Sequence, residues 1–386
     1  MAPSERTLEQ IRRLVSFDTV SRNSNLALIE HVRDSLADLG VESALVGDES
    51  GEKANLYATI GPPGVPGIAL SGHTDVVPVD DQDWDSDPFE VVERDGRLFG
   101  RGTADMKSFI AATLAALPSL VERDLETPIH LAFSFDEEIG CKGVRHLLGW
   151  LAERPVRPRG VIVGEPTGME VVRAHKGKVS FRCHVHGRES HSGLAHLGVN
   201  AVEAAAEAVA FLKRLARRYR DDGPFDEELT PPYTTVHTGV IRGGTQVNIV
   251  PRHCSFDFEF RHLPADDPDR IFEALTRHLD ESLLPEMRAV DPDARFEFEP
   301  LSRIPGLAAD ESSEIVQLAL ALTGRNRTGK VSFGTEGGLF ERDGMPAVVC
   351  GPGHIAQAHK PNEFIALTQI AECERFLARL FDRCAR

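Results

Sequence analysis

The feature that most constrains the fold is an alternation of apolar strand-like runs with helical patterns before residue 166. The runs VESALVG, NLYATIG, GIALSGH, PIHLAFSF and RGVIVGE have the length and composition of strands. Amphipathic or alanine-rich helical patterns cover residues 5–16, 25–39 and 105–123. This alternation predicts an α/β fold, with helices on both faces of a central, mostly parallel sheet.

The pattern changes near residue 179. The runs VSFRCHVHG, PYTTVHTGVIRGG and CSFDFEFRHL alternate with period two, and long helical patterns separate or follow them. Such a run of strands and helices predicts a compact α+β unit of about 110 residues. We therefore predict a catalytic domain in two parts, residues 1–178 and 294–386, with an inserted α+β domain at residues 179–293.

Composition excludes several classes of partner. The net charge of −17 over 386 residues argues against nucleic acid and anionic membranes. No apolar run approaches the roughly 18–20 residues that span a bilayer, and the polar N-terminus does not resemble a signal peptide. The six cysteines are scattered without a CxxC pair, which is typical of a protein in the reducing cytoplasm.

The run LAFSFDEEIG ends an apolar strand pattern in three consecutive acids, Asp136, Glu137 and Glu138. Adjacent carboxylates near a low-dielectric core repel each other, and bound divalent cations would relieve that repulsion. Neighbouring residues on extended backbone point in different directions. We therefore expect Glu138 to bind metal and Glu137 to act as a base, with Asp136 as a structural or capping acid.

Other polar segments also follow predicted strands, where ligands bind in open α/β sheets. They are SGHTDVVP with His73 and Asp75, GRGTADMKS with Asp105, VGEPT with Glu165, and the late loop GPGHIAQAHKPNEF. Each segment alone also fits a structural explanation, such as a surface loop, a helix N-cap or a loop acid. Together they offer imidazole and carboxylate without thiolate, a set that suits zinc, cobalt or manganese. An aspartate shared by two ions is typical of two-metal hydrolases.

This set of segments resembles the dinuclear zinc aminoacylase and deacetylase family. That family includes acetylornithine deacetylases, succinyl-diaminopimelate desuccinylases and carboxypeptidases. The resemblance extends over nearly the whole chain, and the segments VVRAHKGKVSF, FGTEGGLF and GPGHIAQAHKPNEF are most similar to the acetylornithine deacetylases. It implies a zinc-peptidase-like catalytic domain, an inserted dimerisation or lid domain, and a homodimer.

The resemblance also implies two Zn²⁺ ions per subunit, with Co²⁺ or Mn²⁺ as possible substitutes. His73 and Glu165 are then expected to bind one ion, Glu138 and His359 the other, and Asp105 to bridge them.

Other roles around the centre follow from the same resemblance. Asp75 is expected to orient His73, and Glu137 to be the general base. His354 lies in the same loop as His359, but the segment AHKPNE matches the ligand segment of the family. We therefore assign the last ligand to His359 and treat His354 as a loop residue.

Residues outside the metal centre also match positions in the family. His191 matches a histidine that reaches the active site of the partner subunit. Asn248 and Arg261 match substrate contacts, and a guanidinium such as that of Arg261 binds carboxylates in a bidentate manner. Thr335 is a weaker candidate for a substrate contact. The Gly-Gly pair of GTEGG departs from the acetylornithine deacetylases, which leaves the acyl or side-chain pocket open.

The implied reaction is hydrolysis of a small-molecule N-acyl amino acid, most closely N-acetylornithine to ornithine and acetate in arginine biosynthesis. A desuccinylase, dipeptidase or carboxypeptidase would share every metal residue. A non-catalytic scaffold of the same fold would have lost the base or a ligand, and this chain keeps both. A phosphoryl hydrolase would cluster basic residues around the metal loops. Arg101 and Lys107 lie near these loops, and Lys142 is expected on a helix surface.

Overall fold

The structure, a computed structural model, describes residues 2–386 and has a mixed α/β architecture. Its α-helices are α1 (Glu5–Val15), α2 (Leu26–Ala37), α3 (Lys107–Val121), α4 (Gly143–Ala152), α5 (Ala201–Asp222), α6 (Pro268–His278), α7 (Leu284–Val290), α8 (Glu314–Thr323), α9 (Gly337–Arg342) and α10 (Leu367–Cys384). The helical patterns at residues 5–16, 25–39 and 105–123 correspond to α1, α2 and α3, so these predictions are confirmed.

The strands alternate with the helices along the chain. They are β1 (Ser43–Gly47), β2 (Ala54–Ile60), β3 (Ile68–His73), β4 (Val92–Arg94), β5 (Arg97–Phe99), β6 (Ile129–Ser134), β7 (Gly160–Pro166), β8 (Val172–His175), β9 (Gly177–His186), β10 (Ser190–His191), β11 (Thr235–Gly243), β12 (Ile249–Val250), β13 (His253–His262), β14 (Arg295–Ile304), β15 (Leu307–Ala308), β16 (Gly329–Val331), β17 (Ala347–Gly351) and β18 (Phe364–Ala366).

The chain divides into two compact units. The first contains the residues up to Ala174 together with Leu307–Lys330 and Thr335–Arg386, and the second contains His175–Gly306 and Val331–Gly334. The predicted insert, residues 179–293, lies within the second unit. Strand β14 begins just after the predicted end of the insert, and it pairs with β9 in the sheet of the second unit.

The first unit is built on a nine-stranded sheet, in which the eight strands β1-β2-β6-β3-β7-β17-β8-β15 lie in that order and β16 pairs with β8. The central strands β6, β3, β7 and β17 run parallel, while β1 and β2 on one side and β8 on the other add antiparallel pairs. This confirms the predicted α/β class with a mostly parallel central sheet. The carboxyl ends of the parallel strands meet at one edge, where ligand sites form in such sheets.

Register places the candidate segments side by side at that edge. His73, the last residue of β3, is level with Ser134, the last residue of β6, and Gly351 of β17 is level with Pro166 of β7. Every residue of β3, β6, β7 and β17 is buried, so these strands form a rigid support for the loops that follow them.

A small antiparallel sheet, β18-β5-β4, lies beside this edge in the first unit. Strands β4 and β5 form a hairpin, and its two turn residues, Asp95 and Gly96, have positive φ, 52° and 70°. A two-residue turn with this geometry matches the right-handed twist of the strands. Strand β18 pairs with β5, which brings the chain after His359 next to the chain that leads to Asp105.

The second unit is an antiparallel sheet, β11-β13-β9-β14, packed with helices α5, α6 and α7. Alternate residues of β13, namely Phe256, Phe258 and Phe260, are buried in its core, as the period-two pattern predicts. Helix α5 presents a run of small residues to this core. Its N-cap is Asn200, whose side chain accepts the main-chain N–H groups of Val202 and Glu203.

All six cysteines are free and buried, as expected for a chain without a disulfide framework. They are Cys141, Cys183, Cys254, Cys350, Cys373 and Cys384. Within residues 2–386, none of the helices combines the length and the hydropathy needed to cross a bilayer.

Candidate metal centre

His73 ends strand β3, and only 1% of its surface is exposed. Its Nδ1 lies 2.9 Å from the main-chain carbonyl oxygen of Asp75 and 3.6 Å from Oδ1 of that residue. A carbonyl oxygen only accepts hydrogen bonds, so Nδ1 carries a proton and holds the ring in place. The other nitrogen, Nε2, is therefore directed at the surrounding acids. Asp75 thus contacts His73 mainly through its main chain.

Asp105 precedes helix α3 and places its two carboxylate oxygens against two different histidines. Oδ1 lies 3.0 Å from Nε2 of His73, and Oδ2 lies 3.4 Å from Nε2 of His359. Burial alone would raise the pKa of Asp105, but the hydrogen bonds from His359 and His73 bring it below its ordinary value. A carboxylate with one oxygen directed at each imidazole has the geometry required to bridge two cations.

Glu138 and His359 form the second half of the cluster, with Nε2 of His359 3.1 Å from Oε2 of Glu138. Hydrogen bonds to Asp105 and Glu138 raise the pKa of His359 to about 10. Burial, followed by the charge of Asp105, raises the pKa of Glu138 to about 7. The other oxygen of Glu138, Oε1, is buried without a hydrogen-bond partner. Such an orphaned carboxylate oxygen is costly unless a cation binds it.

Glu165 completes the first half from strand β7. It is 4% exposed, and its Oε1 lies 3.6 Å from Nε2 of His73. Burial and then the charge of Asp105 raise the pKa of Glu165 well above its ordinary value. The surroundings of Glu165 therefore disfavour its ionised form unless a positive charge, such as a bound cation, lies nearby.

The three consecutive acids of residues 136–138 have separate partners. Asp136 forms a largely buried ion pair with Lys53. The carboxylate of Asp75 accepts the main-chain N–H of Glu137 at 3.0 Å and that of Glu138 at 3.2 Å. Asp75 therefore fixes the backbone of the acidic segment, in addition to its contact with the imidazole of β3.

Glu137 and Glu138 face different halves of the cluster. Ligand atoms of Glu137, His73 and Glu165 all lie within 4.8 Å of one another. Oε1 of Glu137 also accepts a hydrogen bond from the thiol of Cys141, with 3.3 Å between sulfur and oxygen. Burial raises the pKa of Glu137 well above its ordinary value, with the charge of Glu138 as a further cause. A carboxylate of this kind is suited to exchanging a proton.

The residues at this edge of the sheet can hold divalent cations. Four carboxylates converge on two imidazoles, which leaves an excess of negative charge in a buried space, and one carboxylate oxygen has no partner. Oxygen and imidazole donors without thiolate are the ligands of zinc, cobalt and manganese. The cluster consists of His73, Asp105, Glu137, Glu138, Glu165 and His359.

Comparison with known proteins identifies the family of the chain. The sequence profile of the family described as Peptidase family M20/M25/M40 matches residues 69–383. The chain belongs to this family. A peptidase of this family is a hydrolase that acts on amide bonds, so the predicted enzyme class is confirmed.

Relatives within the M20/M25/M40 family match over nearly the full length. The chain is 35% identical over 376 residues to the acetylornithine deacetylase of Myxococcus xanthus, covering 95% of this chain and 94% of that protein. It is 34% identical over 370 residues to the acetylornithine deacetylase of Pasteurella multocida (strain Pm70), covering 95% and 94%.

Solved structures of the same family share the fold. The M20 family metallo-carboxypeptidase of Sulfolobus solfataricus has a TM-score of 0.77 at 19% identity, covering 98% of this chain and 99% of its own. A Bacillus subtilis protein described as a dinuclear metal binding peptidase from the M20 family has a TM-score of 0.70 at 15% identity, covering 97% and 96%.

In this M20-type chain, the loop after β17 contains two histidines in different settings. Both are exposed, but their partners differ: Nδ1 of His354 accepts the main-chain N–H of Ala356, so His354 caps a short 3₁₀ turn at Ile355–Gln357. His359 instead contacts Asp105 and Glu138. Of the two, His359 is therefore the one that lies at the candidate metal centre.

Three residues with predicted roles toward a substrate, His191, Asn248 and Arg261, lie in the second unit. His191 is exposed, pairs with Ile249 between β10 and β12, and accepts the main-chain N–H of Gly193 at Nδ1. Asn248 is also exposed and directly precedes β12, while the half-buried Arg261 on β13 donates a hydrogen bond from Nε to Glu259. Their roles toward a substrate stay predictions.

Two neighbouring residues at the start of α9 are buried in the first unit. Thr335 has no exposed surface, and its Oγ1 accepts the main-chain N–H of Gly337, so a substrate contact by this hydroxyl stays a prediction. Glu336, which no sequence motif indicates as a site residue, accepts hydroxyl hydrogen bonds from Ser71 and Ser134. Burial raises its pKa to about 7. The segment GTEGG gave no signal for this, since the partners lie on distant strands.

Proposed function

We propose that the protein is a two-metal amidohydrolase that converts N-acetylornithine to ornithine and acetate. The observation that carries the two-metal part is the placement of Asp105, whose two oxygens are directed at His73 and at His359. One cation would be held by His73 and Glu165, the other by Glu138 and His359, with Asp105 shared. Zinc is the proposed metal, and cobalt or manganese would suit the same donors.

When bound, the cations would polarise the scissile carbonyl and lower the pKa of nearby water towards about 7. The protein's own contribution to proton transfer is assigned to Glu137. Its Oε1 accepts the thiol hydrogen bond of Cys141, and we assign proton transfer to Oε2. Glu137 takes a proton from the attacking water and later delivers it to the leaving amine nitrogen.

Recognition of the substrate is assigned to the second unit. The guanidinium of Arg261 and the amide of Asn248 would hold the α-carboxylate of the amino acid. In the proposed homodimer, the partner subunit's His191 would stabilise the oxyanion of the tetrahedral intermediate. The proposal includes a cytoplasmic location, which the six free cysteines support.

The choice of acyl amino acid is supported by relatives at 34–35% identity that are named acetylornithine deacetylase. A panel of substrates tests it. Purified protein loaded with zinc is assayed with N-acetylornithine, other N-acetyl amino acids, N-succinyl-diaminopimelate and dipeptides. We expect the highest kcat/KM for N-acetylornithine. A higher kcat/KM for the succinyl compound or for a dipeptide would contradict the proposed substrate, while the proposed two-metal hydrolysis would stand.

Removal of metal is expected to abolish the activity and lower the thermal stability. Without cations, the carboxylates that surround His73 keep their mutual repulsion, and any ligand that binds only the folded state stabilises it. The measurement is amide hydrolysis and Tm before and after treatment with a chelator, followed by titration with zinc. We expect recovery to saturate at two equivalents per chain, and full activity in metal-free protein would contradict the proposal.

A further inference from the structure

Glu363 is a buried carboxylate outside the ligand set, with 1% of its surface exposed. Both of its oxygens bind the loop that leads to Asp105. Oε1 accepts the main-chain N–H groups of Ala104 at 2.8 Å and Asp105 at 3.0 Å. Oε2 accepts the main-chain N–H of Gly102 at 3.1 Å and Nη1 of Arg101 at 2.8 Å. The loop therefore wraps around a carboxylate of its own chain.

Arg101, the charged partner of Glu363, is itself fixed from several sides. Its Nη2 donates to Oε1 of Gln82 at 2.6 Å, and its guanidinium lies 5.0 Å from the ring centroid of Trp84. Nη1 also donates to the carbonyl oxygen of Lys360 at 3.3 Å. A planar guanidinium with several donors can satisfy these acceptors at once, which a lysine ammonium cannot.

The position of Glu363 in the chain connects two of the candidate ligands. It lies four residues after His359, and its carbonyl oxygen accepts the main-chain N–H of Gly100 at 2.9 Å. Strand β18, which begins at the next residue, pairs with β5 just before the Asp105 loop. One side chain thus joins the loop of Asp105 to the loop of His359.

We infer that Glu363 is a positioning residue that sets the distance between Asp105 and His359, and so the affinity of the cation they share. The inference rests on the proposed two-metal function. Its physical basis is that each oxygen of Glu363 satisfies main-chain donors, including the N–H of Asp105 itself. Loss of these acceptors would leave buried N–H groups unpaired and shift the backbone that aims the Asp105 carboxylate. Partners of this kind tune metal affinity by about 10- to 100-fold.

The test measures cobalt binding to metal-free protein, by calorimetry and by the visible absorption of bound Co²⁺. In Glu363→Gln, one carboxylate oxygen is replaced by an amide NH₂, which cannot accept the N–H groups that point at it. We expect one of the two Co²⁺ ions to bind about 10- to 100-fold more weakly, with an altered spectrum. In the milder Arg101→Lys variant, the affinity for the same Co²⁺ ion is expected to fall by about 10-fold.

Leu377→Ala is the matched control for a general loss of stability. This leucine is fully buried in α10, outside both loops in sequence, so the variant is expected to lower Tm. It is expected to bind both ions as the wild type does. If Glu363→Gln does not fold, the Co²⁺ affinity of Arg101→Lys tests the positioning role.

Wild-type Co²⁺ affinity and spectrum in the folded variants of Glu363 and Arg101 would overturn the positioning role alone. Equal weakening in Leu377→Ala would also overturn it, because the effect would then follow stability and not the two loops. Failure of the wild-type protein to bind two Co²⁺ ions would overturn the proposed function and, with it, this inference.

Discussion

Replacing Glu137 by glutamine is expected to lower kcat by roughly 10²- to 10⁴-fold while the protein still binds metal. Glutamine has nearly the shape of glutamate but cannot take a proton from water at neutral pH. Glu137 faces His73 and Glu165, whereas the contacts to His359 come from Asp105 and Glu138. The measurement is kcat on the best substrate of the panel, together with the metal content of the purified variant.

The neighbouring residue provides the matched control. Glu138→Gln removes a charge one position away, and this carboxylate contacts His359 directly. We expect it to lose metal, and with it activity that added zinc partly restores. Two results would remove Glu137 from the role of base. One is turnover near that of the wild type in Glu137→Gln, and the other is loss of metal as large as in Glu138→Gln.

Replacing Lys53 by methionine is expected to lower the free energy of unfolding by about 3–5 kcal/mol. The ion pair of Lys53 with Asp136 is largely buried, with 14% and 11% of the two side chains exposed. The ammonium also donates to the carbonyl oxygen of Ser21, whose hydroxyl binds Asp75. Removal of the cation leaves Asp136 as an uncompensated charge beside Glu137. Chemical denaturation monitored by circular dichroism measures the loss.

A second variant separates the charge from the packing of Lys53. In Lys53→Met combined with Asp136→Asn, no buried charge is left unpaired, and most of the lost stability is expected to return. Asparagine suits this position because the backbone of Asp136 has a φ of 53°, a region that asparagine tolerates. A free energy of unfolding of Lys53→Met within about 1 kcal/mol of the wild-type value would show that the ion pair contributes little.

The sequence predicted those parts of the fold that depend on local patterns. Helical periodicity predicted α1, α2 and α3, and period-two alternation predicted β9 and β13. The candidate segments with His73, Glu138, Glu165 and His359 were recognisable because each lies at or after the end of a buried strand, and parallel strands deliver their carboxyl ends to one edge. Asp105 instead follows β5 of the small antiparallel sheet. The end of the insert is harder to predict, because β14 can be assigned to the second unit only once its pairing with β9 is known.

Partners distant in sequence could not be predicted in the same way. Asp136 was expected only to be a structural or capping acid, because nothing near residue 136 indicates Lys53 as its partner. The binding of Ser71 and Ser134 to Glu336 spans more than 200 residues in each case. Such contacts depend on how strands are ordered in the sheet, and a single sequence does not encode that order in any local pattern.

Because all six thiols are buried, an alkylating reagent can distinguish the opening of one unit from the opening of the other. Two of the six cysteines, Cys183 and Cys254, lie in the second unit, and the other four lie in the first. A buried thiol reacts only when the surrounding structure opens. The mass added by an alkylating agent during partial denaturation therefore records which unit opens first, by two adducts or by four, without any engineered probe.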